Sequence, residues 1–291
     1  MNPRAQALLP VFFVLLWSTG FIGAKLGLPY AEPLTFLSVR YVLVIAVMLL
    51  VALVSRAPWP SSWTMAGHIA ANGFLLHGLY LGGVFVSIKH GLPAGVAALV
   101  VGMQPLLTAV GAGWFLGERV TARQWLGLAL GFVGVALVVG GRAQIDTVTT
   151  SSLWHMLWPA LIALMGITVG TLYQKRFCPS FDLRTGSVIQ FLPALLVTGL
   201  VAAQTETLQI EWDGRFIFAL LWLVLVLSVG AISLLNLLIR QGSATNVASL
   251  FYLTPPVTAV IAWALFDETL SPMAIAGMGV AVGGVWLARR A

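Results

Sequence analysis

The stretch PLTFLSVRYVLVIAVMLLVALV, residues 33–54, carries a single charged side chain, Arg40. A helix this long and this apolar spans a hydrocarbon core of about 30 Å, whereas a soluble surface helix would show a polar face. The same character runs through most of the chain, which is 59% hydrophobic and 8% charged. Soluble domains are roughly a quarter charged. At roughly 20 residues per span the 291 residues hold about ten crossings. The chain reads as an all-α integral membrane protein.

Charged residues and Pro/Gly breaks place helices near 7–27, 33–54, 66–88, 93–116, 121–140, 153–175, 184–203, 216–239, 245–266 and 271–288. The first apolar run passes Trp17 and reaches Gly27 with no small-x-small cleavage site before the first charge, so it reads as a retained helix. An even count puts both termini on one face. That face holds Arg4, Arg56, Arg119, Arg123, Lys175, Arg176, Arg184, Arg240, Arg289 and Arg290 against Glu118 and Asp182. The other holds Glu32, Asp146, Glu206, Glu211, Asp213, Asp267 and Glu268 with few cations. The positive-inside rule makes the first face cytoplasmic, giving an N-in/C-in protein.

Shifted by 150 residues, the sequence falls on itself. Glu118 meets Glu268, Pro105 meets Pro255, and Thr108-Ala109-Val110 meets Thr258-Ala259-Val260; Gly127 and Gly134 meet Gly277 and Gly284. In the first part of each half Lys25 meets Lys175, Pro29 meets Pro179, Glu32 meets Asp182 and Thr35 meets Thr185. Chance matches among Gly, Ala and Val are common in membrane sequence, but coincident Lys, Pro and Glu at one ungapped offset are not. The chain is thus two five-helix repeats, 1–142 and 151–291, and an odd helix count per repeat inverts the second in the membrane. Such halves can enclose a midplane site that opens to each side in turn.

The duplicated segments MQPLLTAVGAGWFLGERVTARQWLGLALGFVGVALVV and LTPPVTAVIAWALFDETLSPMAIAGMGVAVGGVWL, with LLWSTGFIGAKLGL and LSVRYVL, resemble the EamA-type branch of the drug/metabolite transporter superfamily. Within it they are similar to bacterial amino-acid and metabolite exporters, including the aromatic amino-acid exporter branch. The resemblance covers essentially the whole chain. It implies ten transmembrane helices, a bacterial inner-membrane location, and a small-molecule substrate exported or equilibrated by alternating access.

Polar and aromatic residues at mid-helix depth are the site candidates, since hydrocarbon without a partner is costly for them. Arg40 is either a counter-charge for a substrate carboxylate or a gate, or else an arginine snorkelling to the interface. His77 and Tyr80, three apart, are expected to share a face that lines a cavity or packs. Trp17 and Ser18 lie too deep for an interfacial belt and suit a cavity wall or a helix contact. Trp158 and Tyr173 flank the centre of the sixth helix, and Asn236 and Tyr252 are further lining candidates. Gln104-Pro105 and Thr254-Pro255-Pro256 break the fourth and ninth helices, as kinks with hinge capacity that could also present carbonyls and Gln104 to a solute.

Lys25 and Lys175 suit the C-terminal ends of their own helices, and the patterns Gly127–Gly131 and Gly279–Gly283 suit close helix packing. Glu118 and Glu268 sit on opposite faces, each expected to cap a helix hairpin in its own half. No nucleic-acid partner is expected, because basic residues are scattered singly or in pairs. No metal or cofactor is expected, with one cysteine, Cys178, and no Cys/His cluster. Motifs of a membrane-embedded enzyme (HExxH, GxSxG, paired intramembrane carboxylates) are missing, as are the polar rings of a channel and a Walker loop. With no carboxylate at mid-span, facilitated diffusion, exchange and proton coupling through His77 all stay open. The partners expected are a small solute and the lipid bilayer, for a monomer or weak homodimer.

Overall fold

The computed structural model describes residues 3–90, 92, 94–140, 150–266 and 270–289. Without water in the bilayer core, a backbone must pair its own amides, and the described residues do so as helices, with one isolated bridge between Ala31 and Ile210. In chain order these are α1 (Pro3–Gly27), α2 (Pro33–Val54), α3 (Trp63–Lys89), α4 (94–116), α5 (Ala122–Gly140), α6 (Thr150–Phe177), α7 (Leu183–Thr205), α8 (Gly214–Gln241), α9 (244–266) and α10 (Pro272–Arg289). Among the described residues nine segments, α2 to α10, are long and apolar enough to cross a membrane; the apolar part of α1, Leu8–Ala24, is shorter.

The connections gather at two ends. At one end Glu211 N–H donates to Tyr30 O, the Thr207 hydroxyl donates to Glu32, and Lys89 Nζ lies 3.2 Å from Glu32. At the other, the Thr185 hydroxyl donates to Pro58 O (2.8 Å) and Glu118 Oε1 accepts from Ala244 N–H (3.0 Å). Each of these ends is sewn partly across the two halves. Glu206 accepts the Leu34 and Thr35 N–H groups at 2.9 and 2.7 Å, completing the N-terminus of α2 from the second half. Glu118 does the reverse for α9. Its expected role within its own hairpin is therefore corrected: the start of α9 lies beside the α4–α5 turn and takes the carboxylate. Glu268 lies outside the described residues.

Lys175 likewise serves a neighbour, donating to Ile239 O (3.0 Å) near the C-terminus of α8 rather than capping α6. The Lys25 side chain lies outside the described ones.

Packing of α5 on α10 rests on absent side chains. A Cβ on Gly134 would stand 2.3 Å from Ala281 N, and one on Gly284 would stand 2.4 Å from Gly131 N. Gly127 and Gly277 are pressed in the same way against Gly284 O and Gly134 O. These four are the pairs matched at the offset of 150, so the contact is two-fold symmetric. The expected Gly279–Gly283 pair is not part of it, for a Cβ at either meets nothing within 4 Å. The helix presents the 277/284 face instead.

Two helices are wound loosely at matching places. Phe74–Leu81 in α3 and Leu223–Ala231 in α8 are π-helical, and the offset of 150 carries the first onto 224–231. In α4 the helix stops at Val101 and restarts at Gln104; in α9 the segment Leu250–Leu253 is 3₁₀ before α-helix resumes at Thr254. Pro105 and Pro255 thus stand in the first turn of a new segment, where a missing N–H costs no intrahelical bond.

Replacing Gly134 with Ala should lower the thermal unfolding midpoint in detergent, with an overpacking cost of about 1–3 kcal/mol, while Gly279→Ala leaves it unchanged. Equal midpoints for the two variants would contradict the packing described.

Candidate functional site

The two interrupted helices and α1 enclose the middle of the molecule. A first cavity, about 570 Å³ counting its mouth, is lined by Trp17, Tyr80, Val84, Ile88, Ala97, Val101, Gly102, Gln104, Ile167, Phe251, Thr254 and Pro255. Three pairs in that wall are equivalent at the offset of 150: Trp17 with Ile167, Val101 with Phe251, and Gln104 with Thr254. The cavity therefore lies astride the axis relating the halves. A second, about 670 Å³, shares Trp17, Tyr80, Val84 and Ile88 and adds Arg40, Gly20, Ala24, Leu28 and Leu227.

Leu28 and Ile88 also border a surface hollow with Glu32, Lys89 and Glu211, so the cavities lead toward the end where α1 meets α2. The opposite end is tied across by side chains, with a surface hollow bordered by Phe181, Asp182, Arg184 and Arg240 beside the ties. There Gln174 Nε2 donates to Asn236 Oδ1 (2.8 Å), tying α6 to α8, and Ala112, Leu172 and Ala244 pack together. Arg240 lies over the Phe181 ring and donates to its carbonyl. The counterparts of Gln174 and Asn236 at the open end are Ala24 and Val86, which offer no such bond.

Inside, polarity is sparse. Arg40 is 6% exposed; its Nε donates to Ser228 Oγ at 3.0 Å, and it has no carboxylate partner among the described residues. Gln104 Nε2 donates to Thr108 Oγ1 (3.1 Å), leaving its Oε1 buried and unpartnered. Trp17 forms an aromatic corner with Phe13 and, edge to face at 5.3 Å, with Phe251.

Of the residues singled out from sequence, Trp17, Arg40, Tyr80, Gln104 and Pro255 line these cavities. His77 does not share the face of Tyr80. The slower winding of the π-helix turns its ring onto Phe191, stacked at 4.0 Å beside Tyr41. Ser18 is spent on helix contacts, donating to Val14 O and Thr254 O while its carbonyl accepts from Thr258. Asn236 is held by Gln174, and Tyr252, in the 3₁₀ turn, packs on Gly131.

Trp158 is 39% exposed on the outside of α6, whose next-door Met156 and Leu157 take the inward contacts. Tyr173 pairs with His68 Nδ1 at 2.6 Å. Pro105 and Pro256 border the breaks without lining either cavity. Sequence reasoning missed Val84, Ile88, Ile167, Phe251 and Thr254; the offset from Trp17 and Gln104 is the signal that locates Ile167 and Thr254.

A duplicated helical unit wrapped about a central cavity that leads toward one end is the form of a solute transporter. The chain belongs to the EamA-like transporter family, whose model matches it twice, over residues 5–140 and 153–290. It is 26% identical to a probable amino-acid metabolite efflux pump of Salmonella typhimurium, over 98% of this chain and 94% of that one. It is 28% identical to the inner membrane transporter YedA of Escherichia coli, over 98% and 92%. A solved crystal structure with 19% identity matches at a TM-score of 0.80, covering 99% of this chain and 98% of that one, and shares the fold.

At the open end, hydrogen bonds from the Thr207 backbone and hydroxyl hold the Glu32 carboxyl below its ordinary value of 4.5. A depressed value means the tie is complete above the unfolded carboxylate range and is lost as pH falls through the folded one. The midpoint difference between wild type and Glu32→Gln should accordingly hold from pH 7 to 5 and close below 4.5; a difference that closes between pH 7 and 5 would contradict the assignment.

Proposed function

We propose that the protein exports or equilibrates amino acids and related small metabolites, aromatic ones included, across the bacterial inner membrane by alternating access at the central cavity. The observation that carries this reading is Arg40: a guanidinium in the membrane interior, lining the cavity and lacking a carboxylate partner among the described residues. A fixed buried cation calls for an anion, and a substrate carboxylate supplies it with a bidentate geometry. The name of the Salmonella relative, a probable amino-acid metabolite efflux pump, supports the cargo class, and that of the inner membrane transporter YedA supports the location.

In this reading the repeats are 1–142 and 151–291, ten helices cross the bilayer, and both termini are cytoplasmic. Support comes from the arginine-rich ends of the segments and from α10, which runs antiparallel to α5 and ends near Gly127, on the Glu118 side. The end tied by Gln174 and Asn236 then faces the cytoplasm and the cavity leads outward. Exchange of conformation between the halves, about the breaks at Pro105 and Pro255-Pro256, would part the Gln174–Asn236 tie.

Purified protein in liposomes should give counterflow of labelled amino acids, and Arg40→Gln should cut it at least tenfold at low substrate, about the loss of one charge-assisted hydrogen bond or more. Silence across a broad amino-acid panel from folded protein would remove the cargo assignment. A reporter fused after Ala291 should be active only on the cytoplasmic side; activity outside would reverse the topology.

A further inference from the structure

Resting on the amino-acid reading above, we infer that the break in α4 is the subsite for the substrate's ammonium group, with Gln104 as its specificity-determining side chain. Four observations meet there. Gln104 is 1% exposed, lines the first cavity, and has an Oε1 with no hydrogen-bond partner. Its amide nitrogen donates to Thr108 Oγ1, and the oxygen is the atom left without a partner. Pro105 has no N–H for Val101 C=O, and the Leu106 and Leu107 N–H groups go to Met103 O, so the Val101–Gly102 peptides lose the donors that would follow in an unbroken helix. Val101 and Gly102 line the cavity beside Gln104.

The result is a cluster of acceptors with no negative charge, Gln104 Oε1 buried and the Val101 and Gly102 peptides half-buried, in a wall that is otherwise mostly aromatic and aliphatic. An unpaired buried acceptor costs free energy until a donor arrives, and an ammonium, with three donors and a positive charge, answers several acceptors at once. A carboxylate or a plain hydrocarbon answers none. Arg40 lines the adjoining cavity, beyond Trp17 and Tyr80, with the opposite preference. The two cavities thus offer one pole to each charge of a zwitterion, and an amine or an acid alone leaves one pole empty. The equivalent position in the second half is Thr254, whose hydroxyl donates to Phe251 O, so the subsite belongs to the first half only.

The test uses three probes competing with labelled phenylalanine on the detergent-purified full chain: phenylalanine, 2-phenylethylamine and 3-phenylpropanoate. Wild type should bind phenylalanine more tightly than either analogue. Gln104→Leu should weaken phenylalanine and the amine by roughly ten- to hundredfold and leave 3-phenylpropanoate unchanged. Gln104→Glu, which adds charge without changing shape, should favour the amine over the acid by at least tenfold relative to wild type, and this decides the matter if the leucine variant does not fold. Equal weakening of amine and acid, or no change in either, overturns the subsite while the amino-acid reading stands. If wild type does not bind phenylalanine, the same comparison is made with the amino acid that gives counterflow and its matching amine and acid; silence across the whole amino-acid panel overturns that reading and the subsite with it.

Discussion

Helices α4 and α9 break in the middle of the molecule, and the placement of everything functional depends on those breaks. In hydrocarbon a helix is stable because it pairs every amide within itself, so an interruption is tolerated only where protein or a cavity receives the freed groups. Pro105 and Pro255 each remove a backbone donor at equivalent points, and Gly102 and the 3₁₀ turn Leu250–Leu253 take up the change of path. The cavity follows: Val101, Gly102, Gln104, Phe251, Thr254 and Pro255 all stand at the two breaks and all line it. Loosely wound stretches in α3 and α8, also equivalent, face the same region and bring Tyr80 to it.

The halves share a backbone plan but not a chemistry. Arg40 and Gln190 occupy equivalent positions; the first meets the cavity, while the second donates to Asn72 within a buried network joining α3, α6 and α7. Gln174 and Asn236 close one end with a bond that Ala24 and Val86 cannot copy at the other. Symmetry in the backbone supplies two alternative arrangements, and asymmetry in these side chains weights one of them.

Much of this architecture was legible from the sequence because the bilayer allows so few solutions. Apolar runs had to be helices, and the offset of 150 had to be a duplication. Arg40, Trp17, Tyr80 and Gln104 announced themselves by cost or by size at mid-depth. What stayed hidden depends on rotation and register. The spacing of His77 and Tyr80 implied one face for ideal α-helix, and π winding separated them. Gly279 and Gly283 carried the familiar pattern, yet the register of α10 on α5 chose Gly277 and Gly284, which only repeat alignment marks. Ile167 and Phe251 bear no polar signature, and no local pattern tells that Glu118 serves a helix 126 residues away in sequence.

That last contact has a bearing on how the protein is made. The first amides of α2 are capped by Glu206, and α9 begins on a carboxylate from the α4–α5 turn, so each half completes a helix end belonging to the other. During synthesis α2 is in the membrane with its leading N–H groups uncapped by Glu206 until the 172 residues from Leu34 to Glu206 have followed. The first half is thus an unfinished product on its own, and a gene cut between the repeats would have to yield two chains that find each other in the membrane before either is fully formed.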